Sequence, residues 1–454
     1  MIGSSPSRFY KLTISKGTMM QQIELFGKFC KFFLQQGLLL ILLIPATALA
    51  SCQNSSTQGL TQAALADTNA VSAVAQNTKP EQATAANIRL GAERVNFYLP
   101  MLKGKRIGLI VNHTSLVPQQ NGEAIHLVDL LLKEGVKVQK VFAPEHGFRG
   151  TADAGEKVAS TTDPSTGLPV VSLYGNNKKP TPEQLQDIDM LLFDIQDVGA
   201  RFYTYISTMH YAMEAAAEQG KEIMVLDRPN PLGHIIDGPV LNPKFRSFVG
   251  MHPIPVIHGL TVAELAQMIN GEGWLTGEKK AKLTVVPMEQ YTHSTPYVLP
   301  VRPSPNLPNQ QSILLYPSLC FFEGTPISLG RGTPFPFQVI GYPEQRFGSF
   351  TFTPTPMPGA KNPPLEGKQC WGLDLREVTP PNELDLGYVI GYYQLFPEKE
   401  TFFKPFFNTL AGTDQLAAQI KQGLTEEQIR ASWQPELESY KSKRTRYLLY
   451  PDAQ

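Results

Sequence analysis

The chain is short of cysteine and has no surplus of either charge. Of four cysteines among 454 residues, only Cys320 and Cys370 lie in the part expected to fold, where one disulfide between them is permitted but not required, and no Cys/His spacing matches a zinc site. Forty basic residues balance forty acidic ones, so no basic excess points to nucleic acid. No Gly-x-x-x-x-Gly-Lys loop is present and no Gly-x-Gly-x-x-Gly fingerprint follows a strand pattern; these are the usual phosphate cradles. A nucleotide cofactor is therefore not expected, and no metal or other cofactor is called for. Long apolar runs are also scarce. The longest, residues 37–50, is too short and too closely followed by polar sequence to favour a stable membrane span.

That run follows Lys28 and Lys31, the layout of a secretory signal over residues 1–51. It ends in Leu49-Ala50-Ser51-Cys52, which resembles the lipobox of bacterial lipoproteins. The resemblance implies lipidation of Cys52 and a membrane anchor. Gln53 stands where Asp often retains lipoproteins in the inner membrane, so an outer-membrane anchor facing the periplasm is expected. Residues 52–87 are rich in Ser, Thr, Gln, Asn and Ala and cannot build a core; they read as a flexible tether. Five basic residues and one acidic residue precede Cys52, leaving 35 basic against 39 acidic in the mature chain.

The remaining residues, roughly 365, suffice for two domains. Four short apolar runs read as buried strands: Arg106 to Val111, Val136 to Ala143, Met190 to Ile195 and Ile223 to Leu226. Helical spacing separates them, at Ala124 to Lys133 and at Thr204 to Gln219, and returns at Thr261 to Asn270 with a capping box from Thr261 to Glu264. Alternation of strand and helix predicts an α/β fold, a parallel sheet with helices on both faces, over residues 88–280. A smaller α/β domain is expected over residues 281–454.

Each strand run is followed by a polar cluster: Asn112-His113-Thr114-Ser115, then Pro144-Glu145-His146-Gly147-Phe148-Arg149-Gly150, then Gln196-Asp197 with Gly199-Ala200-Arg201-Phe202-Tyr203-Thr204-Tyr205, then Asp227-Arg228-Pro229-Asn230-Pro231. In open parallel sheets ligands bind beyond the carboxyl ends of the strands. Further along, a Pro- and Gly-rich stretch carries Pro303-Ser304-Pro305-Asn306, Glu323-Gly324-Thr325 and Gly330-Arg331-Gly332-Thr333. Long irregular segments of this kind are often functional.

Taken in order, these motifs resemble the bacterial exo-β-N-acetylmuramidases, long catalogued as a domain of unknown function. The resemblance implies a Rossmann-like domain, a C-terminal α/β domain and an active-site cleft between them. It also implies release of non-reducing terminal N-acetylmuramic acid from peptidoglycan fragments, with muramyl saccharides or muropeptides as partners. One departure is Ile327-Ser328-Leu329, where a more polar stretch is expected.

Glycoside hydrolysis needs an acid for the leaving oxygen and usually a second carboxylate. Glu145 is the candidate acid, with His146 beside it to orient it. Asp197 and Glu323 are the candidate second groups, unless the sugar's own acetamido oxygen serves; Asp194 reads as a structural partner of an arginine or of backbone. N-acetylmuramic acid carries a lactyl carboxylate, which arginine reads with two parallel hydrogen bonds. Arg201 and Arg331 are the preferred anion readers and Arg149 is a supporting residue. Tyr203 and Tyr205 would stack on the sugar or donate to it, while Asn112, His113 and Asn306 would line the pocket. Two other readings compete: a non-catalytic muropeptide-binding lipoprotein, and a metal-dependent hydrolase using His113, His146 and Asp197.

Overall fold

The computed structural model describes residues 88–452 apart from 120, 146 and 149–160. The runs RIGLIV and MLLFD become strands because every residue but the first Arg is buried, as befits a sheet covered on both faces. The strands in chain order are β1 (Arg106–Val111), β2 (Leu116–Pro118), β3 (Ala124–His126), β4 (Lys137–Ala143), β5 (Thr161–Thr162), β6 (Pro169–Ser172), β7 (Met190–Asp194), β8 (Glu222–Leu226), β9 (Lys282–Val286), β10 (Val339–Tyr342), β11 (Phe350–Phe352) and β12 (Cys370–Asp374).

Seven of them form one sheet in the order β5-β6-β4-β1-β7-β8-β9. All neighbours are parallel except β5, which runs antiparallel to β6 at the edge. Without β5 this is the Rossmann order, the chain building outward from β1 on one side and then the other. The switch point lies between β4 and β7, the two neighbours of β1.

Alternate side chains feed two cores. Ile107, Leu109, Leu192 and Met224 join Leu127 and Leu131 of helix Leu127–Lys133. Ile110, Phe142, Leu191 and Phe193 join helices Tyr205–Glu218 and Val262–Gly271 and much of the C-terminal half. Burying a side chain such as Phe142 or Phe193 completely contributes about 1.5–3 kcal/mol. Helix Val262–Gly271 starts where its sequence signal says, with Thr261 and Glu264 in a reciprocal capping box. The helical pattern from Ala124 needs correction. Its first three residues are β3, paired with β2, and His126 caps the helix by accepting from Val128 N.

The parallel sheet extends past residue 280 through β9. Beyond it, β10, β12 and β11 form a small antiparallel sheet surrounded by short helices. The chain then returns through helix Glu426–Arg444 to the first half. Tyr440 donates to His258 O, Arg444 to Gly259 O, and Tyr450 to Asp227 Oδ2. Cys320 and Cys370 are both buried and unpaired.

Candidate functional site

Among the described residues, one of the four polar strand ends, that of β4, opens on the main cleft. The ends of β1, β7 and β8 bind one another instead. Ser115 Oγ donates to Asp194 O at 2.5 Å, Gln196 N to Thr114 Oγ1 at 3.1 Å, and Gln196 Nε2 to Pro229 O at 2.7 Å. Asn112, fully buried, accepts from Thr114 N and Oγ1 through its Oδ1. Arg228 grips Asp194 with Nε and Nη2 at 2.5 and 2.8 Å. The crevice where a Rossmann fold takes its ligand is thus filled by the protein's own side chains.

Glu145 follows β4 and is half-buried. Thr204 Oγ1 donates to its Oε2 at 2.9 Å. Tyr174 also hydrogen-bonds it; burial first, then the Glu145 charge, pushes that phenol upward. Glu145 lines a cleft of about 890 Å³ whose other walls come from the C-terminal half: Glu323, Arg331, Tyr342, Lys361, Lys404 and Phe406 among them. Ile327 and Leu329, the apolar departure noted above, form part of its floor. Both are buried, and Ser328 between them pairs with Gly341 of β10.

Glu323 and Arg331 meet as an ion pair, Nη2 to Oε1 at 2.5 Å, with side chains 26 % and 22 % exposed. Desolvation opposes the Arg331 charge, but the Glu323 carboxylate outweighs it and raises the guanidinium above its ordinary range. Glycines place both. A Cβ on Gly324 would lie 2.4 Å from Phe407 Cα, so only glycine lets helix Pro405–Ala411 pack here. Gly332 has φ +80°, the left-handed region.

Other expected site residues are engaged elsewhere. Arg201 is completely buried and donates to four main-chain carbonyls: Pro239 and Ile254 through Nη1, Leu410 and Ala411 through Nη2, at 2.7–2.9 Å. It cannot read a substrate carboxylate. Burial pushes its pKa down to about 9, still cationic at neutral pH. Asp197 is buried outside the cleft lining and holds its own loop, accepting from Gly199 N at 2.8 Å with His258 Nε2 3.7 Å away. His113 pairs with Arg302 O at 2.9 Å. Tyr203 donates to Pro303 O at 2.8 Å and Tyr205 lies 3.5 Å from Glu145 O. These tyrosines and Asn306 border a small recess beside Glu145. His146, Arg149 and Cys52 lie outside the described residues. No group of three or more His, Cys, Asp or Glu among the described residues is arranged to hold a metal.

Thr204, Tyr174, Lys361, Lys404 and Phe406 escaped the sequence reading. Thr204 stood inside a quoted motif and was available; the others sit in segments with no recognisable signal.

Sequence models of the exo-β-N-acetylmuramidase NamZ family match residues 107–311 with the N-terminal part and 314–450 with the C-terminal part. The chain belongs to the NamZ family. It is 42% identical over 378 residues to the peptidoglycan β-N-acetylmuramidase NamZ of Bacillus subtilis (strain 168), covering 78% of this chain and 89% of that one. Among solved structures, two DUF1343 family proteins from Bacteroides fragilis NCTC 9343 share the fold. One has a TM-score of 0.75 at 45% identity, covering 81% of this chain and all of the other. The second has a TM-score of 0.67 at 32% identity, covering 82% of this chain and all of its own.

Proposed function

We propose that this NamZ-family protein is an exo-acting glycoside hydrolase that releases non-reducing terminal N-acetylmuramic acid from peptidoglycan fragments. The observation that carries the reading is that Glu145, from the parallel sheet, and Glu323, from the C-terminal half, line one cleft together. A pair of carboxyl groups flanking a sugar-sized opening is the equipment of glycoside hydrolysis.

In this reading Glu145 gives its proton to the leaving glycosidic oxygen. Thr204 and Tyr174 hydrogen-bond its carboxyl group and help to orient it at the cleft. Positive charge that develops on the sugar ring is then offset by Glu323, or captured by the sugar's acetamido oxygen with Glu323 positioning it; water then adds to the anomeric carbon and returns a proton to Glu145. Arg331 keeps a single Nη on Glu323, and its remaining N–H groups serve the lactyl carboxylate. Lys361 and Lys404 add positive charge at the same opening. The Leu49-Ala50-Ser51-Cys52 pattern supports a lipid anchor on Cys52, holding the enzyme in the cell envelope with the periplasm as its compartment.

Turnover of a chromogenic β-N-acetylmuramide tests the assignment. Glu145→Gln should lower kcat by at least about 100-fold, the scale of general-acid catalysis, with an unchanged denaturation midpoint. Unchanged turnover would remove Glu145 from the chemistry. Binding of the muramide by the parent protein without any product would favour a carrier instead.

A further inference from the structure

A pocket of about 280 Å³ lies apart from the cleft and shares no lining residue with it. Its volume is close to the lower bound for small-molecule sites, about 300 Å³. One lip is the segment from Pro239 to Pro243. The other is the start of helix Gln415–Lys421, and helix Glu426–Arg444 closes the space with Trp433 and Glu436. The two lips are joined before any ligand arrives. Asn242 N donates to Gly412 O at 2.8 Å, and Arg201 links Pro239 O to the carbonyls of Leu410 and Ala411.

The lining is polar but carries little charge. Glu436 is its single charged group, and no lysine, arginine or histidine is among the lining residues. The Arg430 guanidinium, 5.9 Å from the Trp433 ring centre, is already held by Asp237 and Glu426. An anion would find no free counter-charge. Trp433 is 5% exposed, and its indole N–H is buried without an acceptor among the described residues. A buried tryptophan N–H normally has a partner, and leaving one unmatched costs about 1–3 kcal/mol. Gln415 is exposed and Gln419 half-buried, and neither side-chain amide makes a hydrogen bond among the described residues. Each glutamine amide offers donors and an acceptor, as every sugar hydroxyl does. Leu241 and Leu416 supply apolar wall for the C–H faces of a ring. Neutral amides, an unmatched indole donor and a little apolar surface together suit a neutral saccharide.

The pocket is also a neighbour of the cleft. Lys404 and Phe406 border the cleft at the start of helix Pro405–Ala411, and Thr413 and Gln415 border the pocket just beyond its end. A helix of that length rises about 10 Å.

We infer that the pocket is an accessory site for neutral saccharide units, holding a remote part of the glycan strand whose end enters the cleft. A sugar oxygen accepts from the Trp433 N–H, and Gln415 and Gln419 exchange hydrogen bonds with the hydroxyls. The identity of the strand rests on the muramidase reading of the cleft, whereas the saccharide chemistry of the pocket rests on its own lining.

Calorimetric titration of the full chain with a β-linked N-acetylglucosamine tetramer tests the pocket, since that probe is neutral and carries no terminal muramic acid. The parent should bind it. Gln415→Ala/Gln419→Ala should weaken binding at least about tenfold, the scale of two neutral hydrogen bonds, and Trp433→Phe about fivefold. Neither glutamine is buried, so the paired variant reads binding apart from folding. In kinetics, kcat/KM on a muramic-acid-terminated octasaccharide, divided by kcat/KM on a chromogenic β-muramide, should fall about tenfold in the paired variant. Absence of tetramer binding by the parent, or equal binding by parent and paired variant, would overturn the inference. So would an unmoved kinetic ratio, or binding of a lysine-bearing tetrapeptide in place of the saccharide. If the parent cleaves no muramide at all, the muramidase reading fails, and tetramer binding that the paired variant loses supports the saccharide pocket by itself.

Discussion

Arg201→Met offers a sharp separation between two roles for one residue. As an anion reader, its loss would raise KM and leave stability alone. The structure makes it a clamp: one guanidinium joins the carbonyls of Pro239 and Ile254 to those of Leu410 and Ala411. Each hydrogen bond from a charged donor contributes about 1.5–3 kcal/mol. Burying the uncompensated charge offsets much of the sum of four, and removing one partner of a buried charged network typically costs about 3–5 kcal/mol. A loss of about 4 kcal/mol, at a urea slope near 3 kcal/mol/M, lowers the midpoint by roughly 1 M. Urea denaturation followed by tryptophan fluorescence, alongside muramide kinetics at a temperature where the variant is folded, measures both. An unmoved midpoint with a raised KM would refute the clamp. Arg201→Lys should fare little better, since a point charge does not span four carbonyls arranged around a planar fork.

Two further perturbations probe other parts of the same frame. Asp227 is buried, and burial together with the Glu264 charge raises its carboxyl to about 7, against about 4 in an unfolded chain. Folding thus favours the protonated form; the stability this group confers is complete below pH 4 and lost as pH climbs from 4 to 7. Asp227→Asn stays neutral, so its stability relative to wild type should improve by up to about 4 kcal/mol across that window; a pH-independent difference in urea midpoints would refute this. Gly332→Ala must hold a left-handed backbone and bring a Cβ within 2.6 Å of Pro363 and 2.7 Å of Thr355 O. It should cost about 1–2 kcal/mol and, by displacing Arg331, lower kcat/KM about tenfold, whereas unchanged kinetics would separate Arg331 from substrate.

The parallel sheet was legible because its strands are buried on both faces and leave uninterrupted apolar runs. β9 was harder to see: only Val286 in Lys282–Val286 is fully buried, as expected of an edge strand. Glu145 could be read from its strand end, and Glu323 and Arg331 from the motifs of the Pro- and Gly-rich stretch. The fates of the other polar residues could not be read. Arg201, Arg228 and Arg331 share one side-chain chemistry, yet the first holds carbonyls, the second a buried Asp194 and the third Glu323 at the cleft. That choice depends on which distant segment arrives opposite each one, such as residues 410 and 411 for Arg201, and sequence spacing carries no such information.

The seam between the two halves explains why so many of these polar groups are structural. The sheet delivers one acid to the cleft, and the remaining walls come from residues 322–365 and from Lys404 and Phe406. Lys404 and Phe406 lie at the start of helix Pro405–Ala411, and Arg201 grips the carbonyls of Leu410 and Ala411 at its end. Arg201 itself leads into Tyr203, Thr204 and Tyr205, which border the recess and hold Glu145. A single buried guanidinium therefore ties the segment that orients the acid to the helix that completes the opposite wall. Arg201 is completely buried and outside the cleft lining, so it acts on the cleft through that tie. Activity in Arg201 variants should accordingly fall with the loss of that tie and do so through kcat as much as through KM.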